Sequence, residues 1–427
     1  MEALTNWAGN HRFAAPRIHR PGSLAELQAL VAESALVKAV GSRHSFHDLA
    51  DSEGELIQLD GLSRRMDLDL SAAAVHLSGA WTYSELCTLL DEAGFALPNL
   101  ASLPHISIIG ACSTATHGSG NGNRGLAASV SGLEFVTATG DLRSLDRASN
   151  PNTFPGAVVS LGGLGIVSRV TLDVEPRFRV QQEVFDGLSL SRLAREFEDI
   201  TGAAYSVSLF TDWQPDATSR AARFQVWLKR RLVDPSPLEP LPSCFGAKPV
   251  LQAVHPVVGV SAASCTTQLG RPGRWYERLP HFRMDHTPSC GEELQSEYFV
   301  PRRYAVDAIQ AVSQLHESLA PVLQISEIRT IAADDLWLSP CRREACVGIH
   351  FTWKPDWPAV RRRLDAVEAV LEAFEARPHW GKLFVMSRDR LLHAYPAIPA
   401  FIELATTWDP AGKFRNPYLR RHVFGEG

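Results

Sequence analysis

Apolar residues follow a helical rhythm early in the chain and a strand rhythm in several later stretches. After Pro21-Gly22-Ser23, Leu24, Leu27, Leu30 and Val31 fall on one helical face, and Ser23 with Glu26 has capping-box spacing. An apolar strand over 36–40 then runs into a tight Gly41-Ser42 turn, which starts a βαβ unit. Strands are predicted near 56–59 and 74–78. A second capped helix starts at Thr82, with Glu85 three residues on, and stops at Gly94. Residues 98–125 are rich in Gly, Ser and Thr and have no period. A hairpin over 133–137 and 142–145 turns at Gly140-Asp141, and a strand over 166–174 follows Leu161-Gly162-Gly163-Leu164-Gly165. This pattern predicts a first α+β domain over 1–176.

Beyond Pro176 the pattern changes. Strands are predicted over 205–210 and 224–228, a proline-rich surface loop over 235–242 and a strand near Tyr298. A helix over 302–319, strands over 323–330 and 347–353, and a long helix over 357–376 complete a second α+β domain, 177–377. Residues 378–427 form a C-terminal segment.

Composition narrows the class. The 427 residues are 45% hydrophobic and 21% charged, with 42 basic against 47 acidic side chains and a net charge of −5. That balance offers no basic stripe for nucleic acid and no attraction to a membrane surface. No apolar run reaches bilayer length, and the first 13 residues lack the apolar core of a secretory signal. Seven cysteines without a Cys-x-x-Cys pair suit free thiols in a reducing compartment, so a cytoplasmic enzyme is expected. A monomer is expected as well, for want of a long exposed apolar helix or edge strand.

Several segments could carry chemistry. Gly41-Ser42-Arg43-His44-Ser45 is a turn whose successive backbone N–H groups can seat an anion beside an imidazole. On the strand over 323–330, Glu327 and Arg329 share one face while Ile328 points to the other. The next strand repeats the device: His350 and Thr352 oppose Ile349, Phe351 and Trp353. The bland readings are a surface ion pair and a structural histidine. Lys382, in His379-Trp380-Gly381-Lys382, could simply cap a helix C-terminus, and Ser102 could be an ordinary loop serine. Taken together, these groups suit an uncharged polyhydroxylated ligand, because each buried hydroxyl needs a donor and an acceptor. His105, His117 and Cys112 lack zinc spacing, so no metal is expected. Walker, Gly-x-Ser-x-Gly and early Gly-x-Gly-x-x-Gly patterns are absent.

These motifs resemble the alditol (xylitol/sorbitol) oxidases of the vanillyl-alcohol-oxidase-type flavoprotein superfamily, near the aldonolactone oxidases. The resemblance runs nearly end to end. It rests on Asn6-Trp7-Ala8-Gly9-Asn10, Gly41 to Phe46, Leu97 to Ser107, Ala115-Thr116-His117-Gly118-Ser119-Gly120, Ala204 to Trp213, Glu327-Ile328-Arg329-Thr330, Pro378 to Lys382 and Asp409 to Phe414. It implies a PCMH-type FAD-binding domain, a substrate-binding cap and a C-terminal segment that returns to the flavin. It further implies FAD attached covalently through His44. Gly41, Ser42, Arg43, Ser45, Phe46, Ser102, Ser107, Gly110, Thr114, Ala115, Thr116, His117, Gly118, Ile166, Val167 and His379 would be its other contacts. Ser102, Glu327, Arg329, His350, Thr352 and Lys382 would bind the polyol.

The implied chemistry is hydride transfer from C1 to flavin N5, giving an aldehyde, with O₂ reduced to H₂O₂. Arg329 and Lys382 would surround the reacting hydroxyl, Glu327 would accept from its neighbours, and His350 is a candidate base. Arg43 stands where many relatives carry glycine, and the small Ala101 lies near the expected approach of O₂. The alternatives are an oxidase or dehydrogenase of aldonolactones or other sugar alcohols, and a non-catalytic flavin or carbohydrate binder.

Overall fold

The computed structural model describes residues 4–215, 222–232, 236–285 and 293–426. Strands β1 (Arg17–His19), β2 (Val37–Val40) and β3 (Glu55–Gln58) form a small parallel sheet with β3 in the middle. Helix α1 (Leu24–Glu33) connects β1 to β2 and buries Leu27 and Val31. Ser23 Oγ accepts from Glu26 N, as its spacing predicts, but the Glu26 carboxylate turns to Gly22 N at 2.8 Å rather than to Ser23 N. At α2 (Tyr83–Glu92) the Thr82/Glu85 capping box forms in full.

A five-stranded antiparallel sheet follows, built from β4 (Arg65–Asp69), β5 (Ala74–Ser78), β6 (Val130–Val136), β7 (Leu142–Asp146) and β8 (Ile166–Asp173) in the order β4-β5-β8-β6-β7. The β6–β7 hairpin turns where expected, with Gly140 at φ 85°. β4 escaped the pattern because its Arg-Met-Asp-Leu-Asp run is largely solvent-facing.

The second half is built on a nine-stranded sheet. Its main strands are β9 (Arg179–Ser189), β10 (Ser206–Thr211), β11 (Arg223–Leu232), β12 (Leu294–Pro301), β13 (Leu323–Ile331) and β14 (Cys346–Trp353). They run antiparallel in the order β9-β11-β10-β13-β14-β12. One face is apolar: Tyr298, Ile328, Ile349, Phe351 and Trp353 pack with Phe197, Ile309 and Leu364 from helices α3 (Leu190–Gly202), α4 (Ala305–Ser313) and α5 (Trp357–Leu371). The opposite face is polar and turns toward the first half.

Some expected boundaries move. The helix expected over 302–319 is a 3₁₀ turn (Arg302–Tyr304), then α4, then a short helix (His316–Leu319). The break follows Ser313, whose hydroxyl donates to Gln310 O at 2.6 Å in competition with the backbone. α5 ends at Leu371 rather than 376, and a 3₁₀ turn leads to Glu375 at φ 55°. Of the proline-rich loop, Pro235 lies outside the described residues, and 236–242 has no regular structure.

The C-terminal segment packs back on the first half. Leu391, Ile398, Phe401 and Leu419 share a core with Leu86, Phe135 and Val170. Lys413 Nζ donates to Val31 O and Ala32 O, and Asn416 Nδ2 donates to the carbonyls of Asp48, Leu49 and Asp51. Among the described residues, no helix is long and apolar enough to cross a membrane.

Candidate active site

The Gly41–Phe46 turn follows β2 and is held from several sides. Trp7 N donates to Arg43 O, Asn6 Nδ2 to Ser45 O and Asn10 Nδ2 to Phe46 O, each at 2.8 Å. That accounts for the Asn-Trp-Ala-Gly-Asn motif: it buttresses this turn. From the C-terminal segment, Gly381 O accepts from Phe46 N at 3.0 Å. Ser107 N donates to Ser42 Oγ at 3.0 Å, and a Cβ on Gly41 would lie 2.2 Å from Ser107 Oγ, so any side chain there would have to displace Ser107. Arg43 sits at φ 60°, the left-handed region that favours glycine. Its Nη1 donates to Thr5 O at 3.0 Å, and the residue lines the cavity wall.

The turn opens onto a cavity of about 950 Å³ between the two halves of the chain, near the top of the range for ligand sites (roughly 300–1,000 Å³). Gly41, Ser42, Arg43, His44, Ser45, Ser102, Ser107, Gly110, Thr114, Thr116, His117, Ile166, Val167 and His379 line it, as do Glu327, Arg329, His350, Thr352 and Lys382. Ala101 is also on the wall. Phe46, Ala115 and Gly118 stand behind it. Phe46 packs edge-on to Trp7 and His44, Ala115 takes φ 57°, and Gly118 is pressed against Asn99 and Leu100 O.

Sheet register explains the convergence on the far wall. Glu297, His350, Glu327 and Phe210 are cross-strand partners, so they form one row of the polar face. Gly348, Arg329 and Ser208 form the next row on one side, and Gln295, Thr352 and Ile325 the row on the other. Glu327 and Arg329 are 4% and 5% exposed, which excludes a surface ion pair.

Glu297 is the hub, and the sequence reading missed it. Its Oε1 accepts from Arg329 Nη2 at 2.8 Å and lies 3.1 Å from His117 Nε2, while its Oε2 accepts from Lys382 Nζ at 2.7 Å. Burial alone would raise this carboxyl, but Lys382, Arg329 and His117 hold it well below the usual carboxylate range. Glu327 is likewise buried and kept ionised by Arg329 and His281. Burial lowers Lys382 from its ordinary value, with Glu297 opposing the shift. Lys382 Nζ also contacts His350 Nδ1 at 2.9 Å, so it caps no helix. An ammonium only donates, so His350 Nδ1 accepts and its Nε2–H serves Thr352 Oγ1 at 3.0 Å. Ser102 joins the cluster through Arg329 Nη1 at 3.3 Å. No His/Cys/Asp/Glu group among the described residues could hold a metal ion.

His44 lines the cavity from the Gly41–Phe46 turn. Its ring lies against Trp7, with centroids 4.4 Å apart, and burial, His105 and Lys382 push it down to about 3. Nδ1 is buried and has no hydrogen-bond partner. A neutral imidazole with an unclaimed nitrogen, in a turn closed up against Ser107 at Gly41, fits a flavin dinucleotide.

The fold and this cradle define an FAD-binding oxidoreductase. Residues 15–146 match the FAD binding domain family, and residues 290–422 match the D-arabinono-1,4-lactone oxidase family. The crystal structure of cholesterol oxidase from B. sterolicum superposes with a TM-score of 0.78 over 99% of this chain and 96% of that one, at 13% identity. L-gulono-1,4-lactone dehydrogenase of Mycobacterium tuberculosis is 29% identical over 98% of both chains. Alditol oxidase of a Streptomyces species is 46% identical over 421 residues, 98% of both chains. The chain therefore belongs to the alditol oxidase family.

Proposed function

We propose that this protein is an FAD-dependent oxidase that converts the terminal primary hydroxyl of alditols such as xylitol and sorbitol to the aldehyde. The balanced reaction is RCH₂OH + O₂ → RCHO + H₂O₂. The observation that carries this reading is the buried polar sheet face, which offers charged donors and acceptors in alternation across from His44. A chain of hydroxyls satisfies such a wall, whereas an apolar ligand would leave it unpaired. Bound FAD supplies the two-electron acceptor and the route of those electrons to O₂. His44 is the covalent attachment residue in this reading, supported by its neutral ring and unclaimed Nδ1.

The chain's own groups divide the remaining work. Lys382 donates two of its ammonium N–H groups in hydrogen bonds to Glu297 and His350, which leaves the third N–H to donate to the reacting O1. Arg329, fixed by Glu297 and Ser102, adds a second positive group. Together they favour alkoxide character on O1 as the C1–H bond breaks. Glu327 accepts from the neighbouring hydroxyl and so selects which carbon is presented. His350 has both ring nitrogens engaged and therefore orients Lys382 and Thr352; the O1 proton passes to solvent, and the reaction balances as H₂O₂ forms.

An aldonolactone substrate is the second reading, favoured by the match of 290–422. Anaerobic mixing of the holoprotein with xylitol, sorbitol or an aldonolactone decides between them. Bleaching of the flavin band by the alditols is expected, and bleaching by the lactone alone would overturn the proposal. We also assign residues 1–176 to the FAD domain, 177–377 to the cap and 378–427 to a returning segment, supported by sheet membership and the shared core. The six described cysteines are buried and free, which supports cytoplasmic residence.

A further inference from the structure

Behind Glu327 lies a buried basic pair that the chemistry above does not use. His281 sits on the cavity wall, and its Nε2 is 2.7 Å from Glu327 Oε1 and 3.4 Å from Ser208 Oγ. On its other side, Lys229 Nζ lies 3.3 Å from His281 Nδ1 and also donates to the carbonyls of Leu279 and Pro280. Three acceptors around one ammonium use all three of its protons. Both residues are buried; among the described residues His281 ion-pairs with Glu327 alone and Lys229 with no carboxylate.

The carboxylate fixes the tautomer. Ionised Glu327 can only accept, so His281 Nε2 must carry the ring proton. Nδ1 is then left to accept from Lys229, whose ammonium burial lowers to about 7. That proton points at Glu327 Oε1. Burial and the neighbouring Lys229 push His281 down to about 4, so the ring is neutral and donates through that one nitrogen. Glu327 Oε1 is thus taken, with Arg329 Nε a further 3.5 Å away, while among the described residues no protein donor is placed on Oε2.

We propose that Lys229 and His281 are positioning residues: a two-step donor relay that pins one oxygen of Glu327 and leaves the other to read the hydroxyl at C2 of the substrate. The inference rests on the alditol reading of the site. It makes a selectivity claim that the reading alone does not contain. Preference for a hydroxyl beside the reacting carbon originates in the second layer, through the rotamer of Glu327, and not in Glu327 alone.

The test compares His281→Gln with His281→Asn, each on a pentitol and on the matching 2-deoxypentitol, in the flavin-loaded protein. The Gln amide nitrogen reaches the place of Nε2, and the Asn amide reaches only that of Nδ1. Expected for His281→Gln is a kcat/KM on the pentitol within about threefold of wild type. Expected for His281→Asn is a loss of roughly tenfold or more, mainly in KM, with the 2-deoxypentitol scarcely affected. Equal losses on both substrates in His281→Asn, or no loss on either, would overturn the relay while leaving the alditol reading intact. Failure of the wild-type protein to oxidise the pentitol would overturn both.

Discussion

Replacing Lys382 with Met tests the centre of the proposed chemistry. Methionine keeps the length and apolar body of the side chain and removes the ammonium. In the wild-type protein that ammonium is held at 2.7 Å by Glu297 and at 2.9 Å by His350, inside a buried site, so it is already oriented when charge develops on O1. Removing a preorganised donor of this kind costs roughly 2.7–4 kcal/mol of transition-state stabilisation, or about 10²–10³ in rate. Glu297 keeps Arg329 and contact with His117 on Oε1, but its Oε2 loses Lys382. An unsatisfied buried carboxylate oxygen costs on the order of 1–3 kcal/mol, so a lower melting temperature should accompany the slower chemistry. The assay is stopped-flow flavin bleaching under anaerobic conditions, with flavin content measured on the same sample. A bleaching rate within about threefold of wild type, at full flavin loading, would refute the role given to Lys382.

His44→Ala is expected to leave a colourless pellet after acid precipitation, with flavin released to the supernatant, whereas the wild-type pellet stays yellow. Lys382→Arg tests pH dependence. In the proposed chemistry the ammonium is the active form, and burial lowers it from its ordinary value, so wild-type kcat/KM is expected to be full below the shifted value and lost as pH rises through it. A guanidinium stays charged to about pH 12 or beyond, so in Lys382→Arg this alkaline limb should move up or vanish from kcat/KM profiles. An unmoved limb would assign it to another group.

Much of this site could be read from alternation alone. Glu327-Ile328-Arg329 and His350-Phe351-Thr352 each place polar groups on one face and core residues on the other, and that is how they fold. Glu297 carried the same signal, with Tyr298 facing the core beside it, but the strand was read only around that tyrosine. β9 was hidden for a related reason: its Gln181, Gln182 and Glu183 are buried polar residues, so it lacks the apolar run of a central strand. His281 offered no such signal, since it lies outside any regular strand and meets Glu327 only through the tertiary fold. The helices at Arg388–Ala394 and Ile398–Trp408 went unread, and their packing against the first half is likewise a tertiary matter.

The polar sheet face has a consequence for how this catalyst can change. Glu297, Glu327, Arg329, His350 and Thr352, the cavity-facing polar residues of β12, β13 and β14, each have a sequence neighbour in the core against the helices behind, so point substitutions can retune selectivity while the scaffold stays whole. A single-residue deletion in one of these strands has the opposite character. It would rotate Tyr298, Ile328 or Ile349 into the reaction chamber and send a charge into the hydrocarbon layer. New specificities should therefore arise in this lineage by exchange of side chains, with strand length held fixed.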